Sequence, residues 1–249
     1  MTSLVPVLLI GAGVGFLGGL LGKGGSAIAT PLLVAVGVPP MVAVAAPLPA
    51  TVPGTLLAAD RYRRHDLLDH AVLRWSLVAG LPATVVGAVL TRWVSGEALV
   101  LVTELVIVAI GLRLLLSPSP APSSDLAIPA RRGATIAVAV VTGLAAGLLA
   151  NSGGFLLAPL FITVLGLRVK PALGTSLAVA AALAVPGSLV HLALGHLDWT
   201  VVGAFAVGSI PLSGLGARVA LRVDAGRLER GYGLLLVAMG TVLLGGALT

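Results

Sequence analysis

The chain reads as an all-α polytopic membrane protein assembled from two inverted repeats. Apolar residues fill 58% of its 249 positions and charged residues only 10%, whereas a soluble domain carries roughly 25% charged residues. Mean hydropathy is +1.12, so lipid rather than water is the solvent for most side chains. A glycine-rich stretch occurs twice: Gly15 to Leu32 reads GFLGGLLGKGGSAIATPL and Gly143 to Leu160 reads GLAAGLLANSGGFLLAPL. Lined up 128 positions apart, Gly15 meets Gly143, Gly19 meets Gly147, Gly25 meets Gly153 and Pro31-Leu32 meets Pro159-Leu160.

A spanning helix needs about 20 mainly apolar residues, and five apolar segments appear in each half. In the first half they cover about 3–21, 26–38, 41–59, 71–91 and 98–116; in the second, about 133–149, 154–167, 172–194, 200–217 and 232–248. The second segment of each set is too short for an ordinary span, which suits a half-helix or broken span. Residues 1–117 thus form the first repeat and 133–249 the second. Between them 118–132 is a cytoplasmic linker, rich in Pro and Ser (SPSPAPSSDLAIPA from Ser117 to Ala130). The repeat runs on beyond the glycine stretch. Val52-Pro53-Gly54-Thr55-Leu56 matches Val185-Pro186-Gly187-Ser188-Leu189, and Pro82 with Gly87-Ala88 matches Pro211 with Gly216-Ala217. Prolines inside apolar segments (Pro31, Pro47, Pro49, Pro53, Pro82, Pro159, Pro186, Pro211) free backbone groups for neighbours or a ligand. Gly15-Gly19 and Gly143-Gly147 are small-xxx-small pairs that let helices approach closely.

Loop charges orient the repeats. Between the third and fourth segments, the first half carries Arg61, Arg63 and Arg64, while the second half has no Lys or Arg there. Between the fourth and fifth the bias reverses: Arg92 is offset by Glu97, against Arg218, Arg222, Arg227 and Arg230. Basic loops stay cytoplasmic, so equivalent loops face opposite sides and both termini fall outside. Arg168 and Lys170 flank a loop that this count also places inside; its first-half counterpart, Val38-Pro39-Pro40, is uncharged. Residues 3–22 have no preceding Lys or Arg and have a counterpart deep in the chain, so they are expected to stay uncleaved.

Composition also excludes function classes. With no cysteine, disulfide and thiol chemistry are absent. The net charge of +6 is nearly all arginine, which here reads as topology and lipid-headgroup contact rather than nucleic-acid binding. No metal cluster, nucleophile triad or phosphate loop is visible. The chain is therefore not expected to be an enzyme or to hold a cofactor.

What chemistry remains centres on the two polar breaks, Lys23-Gly24-Gly25-Ser26 and Asn151-Ser152-Gly153-Gly154. Amides at a helix start cannot bond within the helix, and the dipole there favours negative charge. A short helix opening at Ser26 or Gly154, after glycines that admit a ligand to the main chain, is an anion cradle. Lys23 is the only charged residue among the first 59, and an ammonium at membrane depth marks a functional position. Thr175 and Ser176 offer two hydroxyls inside the eighth segment, with Thr51, Thr55 and Ser188 as weaker candidates. Glu104 and His191 are intramembrane ionisable groups suited to proton coupling.

Gly18-Gly19-Leu20-Leu21-Gly22-Lys23-Gly24-Gly25 before Pro31-Leu32, its repeat from Gly147 to Leu160, and Leu173-Gly174-Thr175-Ser176-Leu177 resemble the TauE/SafE family of membrane proteins. These are also called the sulfite exporter or toluene-sulfonate uptake permease family. The resemblance covers nearly the whole chain. It implies a multi-pass transporter of the bacterial cytoplasmic (inner) membrane that moves sulfite, sulfoacetate or other organosulfonates. Where the family has a Thr-Ser pair in the first half, this chain has Ala45-Ala46-Pro47, so site hydroxyls are expected mainly from the second half. The expected mechanism is alternating access. The expected partners are a small anionic substrate, membrane lipid, no nucleic acid, and a second copy of the chain if it forms a homo-oligomer.

Overall fold

A computed structural model of the chain describes residues 4–22, 26–90, 93, 105, 112, 128–148, 153–224, 226–228, 230–231 and 234. Among these the regular structure is helical. The helices are α1 (Leu4–Leu20), α2 (Ser26–Ala35), α3 (Pro40–Ala45), α4 (Pro47–Arg63), α5 (His70–Leu90), α6 (Ile128–Leu148), α7 (Gly154–Thr163), α8 (Val169–Ala193) and α9 (Trp199–Arg222). Five stretches are long and apolar enough to cross a membrane: Pro40–Arg63, His70–Leu90, Arg131–Leu148, Val169–Ala193 and Trp199–Arg222. This is an all-α polytopic membrane architecture. The expected segments 98–116 and 232–248 lie almost wholly outside the described residues.

The two short segments form helices of 10 residues each, α2 and α7, and each carries its proline (Pro31, Pro159) at the same place. α4 and α9 run on past their apolar stretches, to Arg63 and Arg222. A helical ladder needs no apolar side chain, and arginine can lay its stem along the bundle while its head reaches water. α6 starts at Ile128, inside the stretch read as linker, with Pro129 in its first turn where no amide is needed.

Glycine contacts give the direction of every main helix. Along α1, Gly11, Gly15 and Gly19 lie against Phe205, Ser209 and Ser213 of α9. The numbers rise together, so the two helices are parallel. Gly143 and Gly147 of α6 lie in the same way against Gly80 and Thr84 of α5. α4 runs parallel to α9, with Gly54 by Ile210 and Ser213 and Leu57 by Gly214. α5 runs parallel to α8, with the Asp69 amide bonded to Thr175 and Gly80 by Leu183. α4 and α8 are antiparallel: Leu48 meets Gly187, while Tyr62 meets Gly174.

Two three-helix groups result, α1/α4/α9 and α5/α6/α8, running in opposite directions and joined along α4 and α8. Sequence-equivalent helices (α1 and α6, α4 and α8, α5 and α9) always fall in opposite groups. The repeats are therefore inverted, and each group mixes the two halves.

Basic charge gathers at one end. Among the described residues every Lys and Arg lies where α4 and α9 finish and α5, α6 and α8 begin. Lys170 Nζ donates to Leu221 O at 2.9 Å, joining the start of α8 to the end of α9. The loop flanked by Arg168 and Lys170 thus shares the basic end with Arg218 and Arg222.

Candidate functional site

A small cavity opens at mid-depth between α1, α4 and α9. Its walls are Val14, Phe205 and the small residues Gly15, Gly18, Ala50 and Gly54, and its polar lining is Thr51, Thr55, Ser209 and Ser213. Thr51 and Ser209 stand near the midpoints of the Pro40–Arg63 and Trp199–Arg222 spans. The space is about 20 Å³, room for a single water. Among the described residues no charged side chain lines it.

The hydroxyls differ in what they offer. Thr51 Oγ1 donates to Pro47 O at 2.9 Å and Thr55 Oγ1 to Thr51 O at 2.7 Å. Each is a back-bond to a carbonyl one turn earlier, common for Thr in membrane helices and released by rotation about χ1. Ser209 is 6% exposed, and its Oγ is buried with no hydrogen-bond partner. A buried hydroxyl without a partner calls for a ligand or water to explain it. Ser209 and Ser213 were not among the sequence-derived candidates. Their spacing is that of a packing stripe, and it became readable as a site once Gly15 and Gly19 lay opposite.

The second break adjoins the equivalent place in the other group. Gly153 takes a positive φ of 67°, which glycine tolerates without strain, and forms the N-cap of α7 with no side-chain cap. It lies by Thr142 O, Ala146 and Leu183. The repeat equivalents of those three residues are Val14, Gly18 and Ala50, all on the wall of the cavity. Gly154 opens α7 and is buried. Ser26 opens α2, and Lys23, Gly24, Gly25, Asn151, Ser152 and Glu104 lie outside the described residues. The described flanks of the breaks meet α8 at different heights, Gly22 at Leu173 and Gly153 at Leu183. Ten residues of helix separate these levels by about 15 Å.

Thr175 and Ser176 sit elsewhere than the cavity, toward the basic end. Both are fully buried. Thr175 Oγ1 accepts from the Asp69 amide at 2.9 Å and so holds the loop before α5. Ser176 Oγ lies 2.7 Å from Gly22 O and 2.8 Å from Leu173 O and donates its proton there, tying the first break to α8. Gly22 itself has φ 68°, and a side chain there would run into Leu173. His191 is near the opposite end of α8, its Nδ1 3.0 Å from His196 Nδ1 and its Nε2 buried without a partner. It stands about 22 Å along the helix from Ser176. Among the described residues no group of three or more His, Cys, Asp or Glu could hold a metal.

The description "Sulfite exporter TauE/SafE" matches residues 7–243. The chain belongs to the TauE/SafE family. A relative from Xylella fastidiosa (strain 9a5c), named probable membrane transporter protein, is 33% identical over 249 residues, covering 96% of this chain and 95% of the relative. The probable membrane transporter protein YjnA of Bacillus subtilis (strain 168) is 27% identical over 237 residues, covering 90% and 93%. No solved structure matches significantly. Membership of TauE/SafE puts the chain among multi-pass membrane transporters.

Proposed function

We propose that the protein is a secondary transporter of small sulfur oxyanions (sulfite, sulfoacetate or other organosulfonates) in the bacterial cytoplasmic membrane. It works by alternating access, with the basic end cytoplasmic as the positive-inside rule requires. The observation that carries this reading is the mid-depth cavity, lined by small residues and hydroxyls and holding the unpaired Ser209 hydroxyl. It stands at the level where inverted-repeat transporters bind substrate. A water-sized space excludes a sulfur oxyanion, so the described conformation is a closed one. Opening requires the walls of α1, α4 and α9 to part.

In this reading the anion is held by donors rather than by a standing charge pair. The amides at the starts of α2 and α7 (Gly24, Gly25, Ser26; Ser152, Gly153, Gly154) supply N–H donors at positive helix ends, each break serving the pathway at its own level. Ser209, and Thr51 and Thr55 once turned from their back-bonds, supply hydroxyls. Lys23 compensates the desolvated charge and Asn151 is its neutral counterpart in the second repeat. Ser176 acts through Gly22, positioning the first break, and Thr175 positions the loop at the basic mouth. His191, paired with His196, and Glu104 serve proton coupling.

The test is binding by the purified protein of sulfite, sulfoacetate, thiosulfate and acetate, on the wild type and on Lys23→Ala, Asn151→Ala and Ser209→Ala. Sulfur oxyanions are expected to bind ahead of acetate, and more weakly in each variant. Unchanged affinity in all three removes the site. Counterflow in vesicles with and without a pH gradient tests coupling, and gradient-independent flux removes it.

A further inference from the structure

The basic end carries a second cleft, between the starts of α5 and α6, that substrate transport does not account for. It measures about 400 Å³ and is lined by Arg74, Trp75, Arg131, Arg132 and Thr135, among others. The Arg132 guanidinium carbon is 3.7 Å from the centre of the Trp75 ring, and that of Arg74 is 5.2 Å from it. Arg131 is ion-paired with Asp69, yet its Nε is buried with no partner. Three guanidinium groups thus line one open space, and two helix starts add positive dipole ends. Asp69, which also caps α5 by accepting from the Val72 amide, is ion-paired with Arg131 alone of the three arginines, so the cleft keeps a net positive charge.

Depth and surroundings identify what would occupy it. The membrane-crossing parts of α5 and α6 begin at His70 and Arg131, which sets the cleft at headgroup level, where tryptophan belongs. Immediately deeper, Val78, Val85 and Val86 of α5 and Val140 and Val141 of α6 are exposed and apolar. Val78 lies one turn after Arg74, and Val140 two turns after Arg132, along the same helix faces. One continuous surface therefore runs from cationic to apolar in the order of a phospholipid. The repeat counterpart at the other end has Gly203 and Ala204 in place of Arg74 and Trp75. The cleft is thus a feature of one leaflet and no by-product of duplication.

We propose that this cleft binds one anionic phospholipid, its phosphate on Arg74 and Arg132 and its acyl chains along the valine face of α5 and α6. Clusters of Lys and Arg beside membrane spans bind anionic headgroups in this way.

The full-length protein, purified in a neutral detergent, is titrated with phosphatidylglycerol, with phosphatidylcholine, or with inorganic phosphate alone, and its thermal unfolding is followed. Phosphatidylglycerol is expected to raise the unfolding temperature well beyond phosphatidylcholine, with no effect of inorganic phosphate. In R74Q or R132Q the half-saturating concentration rises roughly fivefold, and in the double variant about 25-fold. The charge-preserving pair R74K/R132K, which guards against a folding defect, keeps the preference for phosphatidylglycerol. Native mass spectra count the lipid retained. Equal stabilisation by both lipids, wild-type titration of the double Gln variant, loss of the preference in the Lys pair, or an effect of phosphate alone would each overturn the proposal.

Discussion

At Ser209 a hydroxyl is buried beside a water-sized space and bonded to nothing. Leaving such a group unpaired costs about 1–3 kcal/mol, whereas a hydrogen bond to a charged ligand contributes about 1.5–3 kcal/mol. Ser209→Ala should therefore unfold at the same or a higher temperature than the wild type, yet bind sulfite about tenfold more weakly or worse. Thermal unfolding and binding measured on one preparation check this, and a fall in both would mark Ser209 as packing. The candidate site was only partly legible at this scale. Thr51 and Thr55 stood out as hydroxyls in an apolar run. Ser209 did not, because a four-residue spacing of small residues also describes helix packing. Thr175 reads as a ligand in the sequence, and in the fold its oxygen also accepts from the amide of Asp69, more than a hundred residues away. A sequence displays donors and acceptors, but not which of them the fold pairs.

Among the described residues the apolar segments were legible to within a few residues, since lipid forces a crossing into an apolar helical ladder, though the segment expected at 41–59 is assigned as α3 and α4. The short second segments and their prolines came through as α2 and α7. The glycine faces were legible too, but their partners were not. The face of Gly15 and Gly19 packs on α9, nearly two hundred residues onward, and that of Gly143 and Gly147 packs back on α5. These approaches leave no room for a methyl group: a Cβ on Gly147 would overlap Thr84 O, whereas nothing lies within 4 Å of one on Gly13. Gly147→Ala should cost about 1–3 kcal/mol as overpacking, and Gly13→Ala nothing or a slight gain, as read by thermal unfolding in detergent. At the end of α9, Lys170 Nζ caps Leu221 O at 2.9 Å. A cation on a carbonyl at a helix end is stabilising, so Lys170→Met should lower stability by about 1 kcal/mol in the same measurement.

Across the whole molecule, charge and pairing set orientation and assembly. The chain has no cysteine, so single cysteines can be placed freely. Arg64→Cys and Arg227→Cys, at the basic end, should resist a membrane-impermeant maleimide in intact cells and react once the membrane is broken. His196→Cys, at the opposite end, should react from outside; the reverse pattern would invert the orientation. The exchanged pairing also bears on how the protein is made. α1 leaves the ribosome with a glycine face that suits another helix and not lipid, and its counterpart α9 is synthesised nearly two hundred residues later. Throughout that interval the early helices must wait in the bilayer unsatisfied or in the care of the insertion machinery. A chain stopped before Trp199 would never find closure, and proteolytic quality control should remove it as an orphan.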